Sequence, residues 1–485
     1  GTVWPKSEEE EKVLGAALAG QAGMEDIGEC DTLLLLCADP CQEVPLAGLE
    51  VVRAVKSGCR VFSAGPRRPS PAGRPVEWFA QTPWEAASFL RAVSMEMAGS
   101  AVGEARDTRA ARDAEPARAP VPGREAVLGV ADALAGSSKL GIITGRDVFR
   151  SSLGYALLAS VLRISAHRHL LGGKPTFPLT FFGEGNMRGV METWPRQVKS
   201  LSELVEAART GRLRLLYVVG CDPLSEYPDR KAAKEAFEKL DLLVVQSETL
   251  NETARVADLY LPLQHISERD GTFLSVDGKL HGLSPQRSDA GSRSLVFSVV
   301  DSICGAVGKA LRFKDEAAAH GEMRRFLGWS LKEDLRALAQ GTGVRVSETP
   351  PEPSGSWVAE TEIEKGACSS GLPPEHAGYP FLLLSESPGI SSWLWARSVS
   401  NHRLVPREAF VEMSESDTLE LGVAGGEEVE LVSPQGSTRV RVREMRDVMR
   451  GVVLLPSVFC DVREGLGMAA GQPATRVKVR KSGDA

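Results

Sequence analysis

A seven-residue pattern occurs twice in this chain, at residues 222–228 (DPLSEYP) and at residues 39–45 (DPCQEVP). Both copies read D-P-x-x-E-x-P, and each lies between an apolar run of strand length and a segment with helical spacing. The first proline ends the strand, and the second suits the first turn of a helix, where a missing N–H is harmless. Each copy therefore predicts a turn from a strand into a helix.

The segments around both copies predict parallel sheets. Residues 32–37 and 60–64 are short apolar runs on either side of residues 46–56, whose apolar positions recur at helical spacing. Residues 213–219 and 241–246 repeat this arrangement around a second predicted helix. Crossovers of this kind favour parallel strands in a sheet that is covered on both faces. We therefore predict an α/β fold with two related parallel-sheet halves.

The repeated pattern also predicts two related half-sites. Ligands of open parallel sheets bind at the carboxyl ends of the strands, close to the amino ends of the following helices. Both copies of the pattern occupy that position in their predicted sheets. The alternative, left open by the sequence, is that D-P-x-x-E-x-P is only a convenient turn from a strand into a helix.

Two stretches interrupt the strands and helices and predict the domain organisation. Residues 101–124 contain few large apolar side chains and are interpreted as a linker or surface insertion within an α/β region spanning residues 1–340. Residues 341–378 are rich in proline and glycine and are interpreted as a linker. A strand-rich domain follows at residues 379–485, in which two alternating segments around residues 433–436 predict a hairpin with one buried face.

Composition excludes several classes of function. The 485 residues carry a formal charge of -7, so there is no basic footprint for a nucleic acid. The longest apolar runs are much shorter than the roughly 20 residues of a membrane span. The 8 cysteines form no C-x-x-C pair, which favours a reducing compartment, the cytoplasm.

The acidic start of the chain lacks a signal-peptide pattern and is interpreted as an internal cut in a longer protein.

The chain resembles the molybdopterin oxidoreductase superfamily and, within it, the large iron-sulfur subunit of NADH-quinone oxidoreductase, complex I. The resemblance covers about residues 31–331 and the part from residue 379 to the end. The segments that carry it are residues 216–223 (LYVVGCDP), 244–247 (VVQS), 251–254 (NETA), 257–262 (ADLYLP) and 271–272 (GT). The resemblance implies that the two parallel-sheet halves are nucleotide-binding-like. It also implies that the C-terminal domain is a dinucleotide-binding-like β-barrel.

The resemblance implies molybdopterin guanine dinucleotide as the cofactor, held at its nucleotide ends by loops from both halves. The side chains that match the family's cofactor loops are Asp39, Pro40, Arg67, Asn186, Cys221, Asp222, Gln246, Ser247 and Thr253. A barrel loop adds Trp393, Arg397 and His402 as residues close to the cofactor. Amide and hydroxyl groups such as those of Gln246, Ser247 and Thr253 suit nucleotide edges and phosphates, although they equally suit loop capping.

The sequence departs from the family pattern where the cofactor would be held. Asp39 and Asp222 place carboxylates where the family commonly has asparagine, and a carboxylate repels a diphosphate unless it faces a ribose hydroxyl. The chain has no Cys-His dipeptide of the kind that follows a metal-ligating loop in formate dehydrogenases. We assign no metal ligands and no catalytic residues, and we interpret Cys30, Cys37 and Cys41 as buried thiols rather than cluster ligands. Any iron-sulfur clusters are expected in a preceding N-terminal part.

Three functions follow from the resemblance. The first is a peripheral-arm subunit of an NADH-quinone oxidoreductase-type complex, which keeps the fold of a molybdopterin enzyme with or without its cofactor. The second is a catalytic molybdenum or tungsten pterin oxidoreductase, such as a formate dehydrogenase, with its metal ligand upstream of this chain. The third is a cofactor-free scaffold. All three imply other subunits of a respiratory or formate-oxidising complex as partners. The short apolar runs predict no membrane span in this chain.

Overall fold

The computed structural model describes residues 5, 7–69, 75–102, 123–150, 153–170, 172, 175–181, 186–193, 199–227, 229–284, 295–311, 316–327, 344–345, 373–386, 408–468, 472 and 474–481. The chain forms two compact units. The first consists of residues 1–183, 350–393 and 403–485, and the second of residues 184–349 and 394–402.

The amino-terminal part of the first unit is a parallel α/β sheet. Its strands are β1 (Thr32–Leu36), β2 (Arg60–Gly65), β3 (Glu77–Ala80), β4 (Leu140–Thr144) and β5 (Thr176–Thr180). Its helices are α1 (Glu8–Ala19), α2 (Met24–Ile27), α3 (Pro40–Glu43), α4 (Pro45–Lys56), α5 (Pro83–Val102), α6 (Arg124–Gly136) and α7 (Leu153–Leu170). The strand order is β3-β2-β1-β4-β5, and every pairing is parallel.

The continuous apolar run of β1 has the character of a central strand in a parallel sheet. All five of its residues are buried, because β2 and β4 flank it and helices cover both faces of such sheets. Thr32 is level with Arg60 of β2 and with Leu140 of β4, so the carboxyl ends of the three strands lie at the same edge. This confirms the predicted strand–helix–strand unit, with boundaries shifted by one residue.

The second unit contains the other parallel sheet and a small antiparallel one. Its strands are β6 (Leu215–Val219), β7 (Leu242–Ser247), β8 (Leu259–Pro262), β9 (Gly271–Leu274), β10 (Lys279–Leu283) and β11 (Val344–Arg345). Its helices are α8 (Met187–Thr193), α9 (Leu201–Arg209), α10 (Pro223–Glu226), α11 (Arg230–Phe237), α12 (Glu252–Arg255), α13 (Leu295–Ala306) and α14 (Glu316–Leu327). Strands β6-β7-β8 are parallel, and β11-β10-β9 are antiparallel.

The core of the second parallel sheet lies between the sheet and its crossover helices. Val218 and Val245 from the strands pack in one cluster with Ala233 and Phe237 of α11. Helix α9, which precedes the sheet, begins at a capping box in which Ser200 and Glu203 each accept the other's backbone N–H. The pairing of β6 with β7 confirms the second predicted parallel unit.

The carboxyl-terminal part of the first unit is a closed barrel with the strand order β12-β16-β13-β15-β14-β17. Its strands are β12 (Phe381–Glu386), β13 (Phe410–Ser414), β14 (Glu428–Val432), β15 (Ser437–Met445), β16 (Val452–Pro456) and β17 (Ala474–Lys481), with helices α15 (Glu415–Leu421) and α16 (Cys460–Gly465). In β15 the buried Val440 and Val442 alternate with exposed arginines, as the hairpin prediction requires. The fold class predicted from the sequence is confirmed.

The predicted domain boundaries remain predictions. Most of the proposed linker at residues 341–378, and residues 103–122 of the proposed insertion, lie outside the described residues. Within the first of these segments, β11 pairs with β10. Among the helices that the structure describes, none is long and apolar enough to cross a membrane.

Candidate functional site

The carboxyl edge of the first sheet is unusually closely packed around Cys37, which follows β1. Cys37 has a φ of 47°, in the left-handed region that most side chains avoid. Two glycines, one at the end of β2 and one directly after β4, leave room for the backbone of Cys37. A Cβ atom on Gly145 would lie 1.9 Å from the carbonyl oxygen of Cys37, and one on Gly65 would lie 3.1 Å from its Cα. The backbone turns of β1, β2 and β4 are therefore fixed against one another.

The first copy of the repeated pattern begins at this edge and is held mainly by its glutamate. Asp39 caps the short helix α3, because its carboxylate accepts from the backbone N–H of Cys41 and the amide of Gln42. Glu43 folds back, and its two oxygens accept from the backbone N–H of Asp39 at 2.8 Å and of Arg146 at 2.9 Å. Glu43 thus ties the turn after β1 to the turn after β4.

A cleft opens over this edge of the sheet and encloses about 860 Å³, part of it open to solvent. It is lined by the turns after β1, β2 and β4, by the start of α5 and by the end of the barrel strand β12. We call it the first cleft. Its ionisable side chains are the carboxyl groups of Asp39, Glu43, Asp147 and Glu386, the thiol of Cys37 and the guanidinium of Arg67.

The lining of the first cleft disfavours further negative charge. Burial and the charge of Asp147 raise the pKa of Glu43 to about 8, and the two backbone N–H groups only partly oppose this rise. Burial likewise raises the pKa values of Asp39 and Glu386. The pKa of the Cys37 thiol is raised by burial and by Glu43, so this cysteine is neutral rather than nucleophilic.

The guanidinium of Arg67, the basic side chain among the described lining residues, is engaged by the barrel. Its Nη2 lies 3.3 Å from Oε2 of Glu386 and also contacts Glu412, and its Nη1 lies 3.4 Å from Oδ2 of Asp447. We call these four residues the Arg67 cluster. The structure therefore brings Asp39 and Arg67, both predicted from the sequence, into one cleft, whereas Pro40 is buried at the first turn of α3.

The second copy, in the other unit, is held by its aspartate. Asp222 accepts from the hydroxyl of Ser225 at 2.6 Å and from the backbone N–H of Glu252 at 3.3 Å. Its other oxygen accepts from the backbone N–H and the hydroxyl of Thr253, at 3.0 and 2.6 Å. The Thr253 hydroxyl in turn accepts from the backbone N–H of Leu224. Asp222 thus ties the turn after β6 to helix α12 beyond β7.

Three other predicted residues belong to the same edge. Gln246 is fully buried, accepts from the Tyr217 hydroxyl and donates to the carbonyl of Pro262. The hydroxyl of Ser247 accepts from the side chain of Asn251, which also donates to the carbonyl of Cys221. Cys221 is exposed as a residue, but the protein atoms around its thiol reduce its hydration and raise the pKa of that thiol to about 11. The side chain of Gln246 is thus bonded to other groups of the protein.

The remaining predicted residues are dispersed or lie beyond the described part. Asn186 precedes α8, and its side-chain oxygen accepts from the backbone N–H of Leu274 in β9. Trp393, Arg397 and His402 lie outside the described residues. Cys30 is buried, in agreement with its interpretation as a buried thiol, and Cys37 is partly buried. For Cys41 that interpretation is wrong, because Cys41 lies on the exposed side of α3, whose buried residue is Pro40. No group of three or more His, Cys, Asp or Glu side chains suited to a metal ion occurs in the part of the chain that the structure describes.

Sequence reasoning missed most of the acidic side chains around the first cleft. Glu43 could have been found, because it is the shared glutamate of the repeated pattern. Asp147 follows β4 much as Asp39 follows β1, which is a weaker signal. Glu386, Glu412 and Asp447 carry no local signal, since their role depends on the barrel meeting the sheet.

Two family models match the chain. Residues 5–291 match the family "Molybdopterin oxidoreductase", and residues 391–480 match the family "Molydopterin dinucleotide binding domain". Because the first match spans more than half of the sequence, the chain belongs to the molybdopterin oxidoreductase family. This confirms the family resemblance found in the sequence.

Individual relatives are distant and longer than this chain. The NADPH-Fe(3+) oxidoreductase subunit alpha of Geobacter sulfurreducens is 23% identical over 368 residues, 69% of this chain and 41% of that protein. An NADH-quinone oxidoreductase subunit of Rhizobium meliloti is 26% identical over 285 residues, 57% of this chain and 31% of that protein. The F420-dependent formate dehydrogenase 2 subunit alpha of Methanococcus maripaludis is 25% identical over 264 residues, 52% of this chain and 39% of that protein. The matches thus span less than half of each relative.

A solved structure supports the fold. Acetylene hydratase from Pelobacter acetylenicus superposes with a TM-score of 0.63 over 97% of this chain and 81% of its own, at 12% sequence identity. At that identity the likeness establishes the fold alone.

The described residues of the first cleft do not fit the diphosphate of a pterin dinucleotide. A diphosphate site needs unengaged donors or cations, whereas in this cleft Arg67 is engaged by three carboxylates. The remaining ionisable lining is acidic, so it supplies no cation to pair with a diphosphate. Burial raises the pKa values of Asp39, Glu43 and Glu386, which shows that negative charge is poorly solvated in this cleft. No chemical step is assigned to a pterin at this cleft.

Proposed function

We propose that the chain is a peripheral-arm subunit of an NADH-quinone oxidoreductase-type electron-transfer complex, in which a molybdopterin-enzyme fold serves as a support rather than as a catalytic site. The observation that carries the proposal is the carboxyl lining of the first cleft, with Arg67 already engaged. Such a lining favours a structural role for the first half-site.

The relatives support a place in a multisubunit complex. Two of them are, by name, subunits of an NADH-quinone oxidoreductase and of an NADPH-Fe(3+) oxidoreductase. In our proposal the chain contributes a rigid α/β and barrel framework on which neighbouring subunits assemble in the cytoplasm. Electrons pass from NADH towards quinone through redox groups that those subunits hold.

The main rival is a catalytic formate dehydrogenase-type subunit, and it is favoured by the formate dehydrogenase relative and by the match to a dinucleotide-binding domain. The two functions differ in cofactor and partners. The full-length protein should be isolated with its native partners, and its molybdenum, tungsten, pterin and associated subunits measured.

Our proposal expects an NADH-oxidising subunit in the purified complex and molybdenum and tungsten far below one per chain. Near-stoichiometric metal with formate-dependent reduction of a dye would overturn it in favour of the rival. Isolation without any redox subunit would overturn it in favour of the cofactor-free scaffold.

A further inference from the structure

The loop after β2 is joined to the barrel by its backbone as well as by Arg67. The backbone N–H of Arg68 donates to the carbonyl of Asp447 at 2.7 Å, and that of Met449 donates to the carbonyl of Pro66 at 2.8 Å. Arg67 and Val448 form an antiparallel bridge between these two bonds. A short ribbon therefore connects the parallel sheet to the turn after β15.

The side chain of Arg67 extends this connection to two further barrel strands. Glu386 ends β12 and Glu412 lies in β13, and both contact the same Nη2 atom, while Asp447 contacts Nη1. The Arg67 side chain is only 13% exposed, and that of Glu412 16%. Pairs at such sites are screened much less by solvent than surface pairs.

The cluster contains more negative than positive charge, which makes the arginine necessary. Burial opposes the charged form of Arg67, yet Glu386, Glu412 and Asp447 raise its pKa above the ordinary value. Burial raises the pKa of Glu386, and Arg67 offsets this rise only in part. Without the guanidinium, three carboxylates would repel one another across the junction between sheet and barrel.

We propose that Arg67 is a positioning residue that fastens the barrel to the first parallel sheet, and that the same three carboxylates mask it from phosphate ligands. The inference deepens the proposed function and rests on it, since it explains how the first cleft is held together without a dinucleotide. The masked guanidinium is the chemical group that would otherwise attract an anion to this edge of the sheet.

The fastening role is tested in the full-length protein with Arg67→Met, which keeps an unbranched apolar side chain but removes the charged guanidinium. The matched control is Arg60→Met in the same sheet, whose side chain is 57% exposed and pairs with Glu77. We expect Arg67→Met to lower the thermal midpoint by about 10 °C and the control by about 1 °C. Equal, small shifts for the two variants would overturn the proposal.

A second readout separates fastening from general stabilisation. In Arg67→Met, hydrogen exchange at the Met449 amide, which donates to Pro66, should accelerate at least about tenfold more than exchange at Val453 inside the barrel. Adding Glu386→Gln and Glu412→Gln to Arg67→Met should restore most of the lost thermal midpoint, because the repulsion is removed. Uniform acceleration, or no rescue by the added changes, would contradict a role at the junction.

The masking role is tested by titrating inorganic pyrophosphate into the protein and following the heat of binding. The parent protein should show no binding at this cleft, whereas Glu386→Gln combined with Glu412→Gln should bind, and should lose that binding when Arg67→Met is added. Absence of binding in the doubly neutralised variant would overturn masking. Stoichiometric pterin in the native complex would defeat the proposed function, whereas equal shifts in Arg67→Met and Arg60→Met would defeat only the fastening role.

Discussion

The two copies of D-P-x-x-E-x-P build similar turns and stabilise them with different residues. In the first copy Asp39 caps only its own helix, while Glu43 reaches the neighbouring turn through the backbone N–H of Arg146. In the second copy Asp222 reaches the neighbouring helix through Thr253, while Glu226 is exposed. A bond to the neighbouring element is thus made by the glutamate in the first copy and by the aspartate in the second.

The difference teaches that a repeated pattern specifies the turn and leaves the neighbouring contact to its surroundings. A carboxylate that has capped its helix retains lone pairs, and any donor at the adjacent strand end can use them. The adjacent turn offers a backbone N–H near Glu43 in one sheet, and a threonine near Asp222 in the other. Substitutions at the two edges test this conclusion.

The largest expected effect concerns the glycines at the two edges. Gly145→Ala should destabilise the protein by about 3 kcal/mol, because its Cβ would lie 1.9 Å from the Cys37 carbonyl oxygen. Gly220→Ala should destabilise the protein by about 1 kcal/mol, because Gly220 has a φ of 68°, which alanine adopts at a cost. The atom nearest to an added Cβ would be 3.4 Å away, an ordinary contact distance. Urea unfolding of both variants measures the difference. A larger loss at Gly220 would show that the left-handed backbone at the second edge matters more than the close packing at the first.

A smaller effect is expected for the two aspartates. Asp222→Ala removes the acceptor of four hydrogen bonds, and two donors of the fully buried Thr253 lose their partner. We therefore expect the free energy of unfolding to fall by about 2 kcal/mol. Asp39→Ala removes a helix cap and should cost about 1 kcal/mol. Thr253→Val should reproduce part of the Asp222 effect. Equal free energies of unfolding for the two alanine variants would mean that the copies are equivalent after all.

The smallest effect is a pH dependence contributed by Glu43. Its pKa is raised from 4.5 to about 8 in the folded protein, so the folded state binds the proton more tightly than the unfolded state. This contribution is fully present below pH 4.5 and is lost as the pH rises through about 8. Glu43→Gln should therefore flatten the pH dependence of the thermal midpoint over this range.

The matched control is Glu226→Gln, the same chemical change at the equivalent position of the second copy. Its thermal midpoint should follow that of the parent protein between pH 5 and pH 8.5, roughly the window in which Glu43 titrates. If Glu43→Gln and the parent protein showed parallel pH profiles, the raised pKa of Glu43 would not contribute to folding.

Much of the fold could be predicted because its signals are local. The apolar run of β1, the helical spacing of α4 and the capping box at Ser200 act over a few residues, and the structure reproduces each of them. The alternation in β15 similarly predicted a hairpin with one buried face. The partners of Arg67 could not be predicted, because they lie 319 to 380 positions away in sequence.

Local sequence patterns were sufficient to predict the parallel crossovers, the two turns after β1 and β6 and the family to which the chain belongs, because periodicity, proline and motif order are properties of neighbouring residues. Tertiary structure alone decided which carboxylate of each turn reaches its neighbour, and that Arg67 faces three barrel carboxylates. The physical reason is that the charge state and the partners of a side chain depend on burial and on groups that folding brings close from distant parts of the chain.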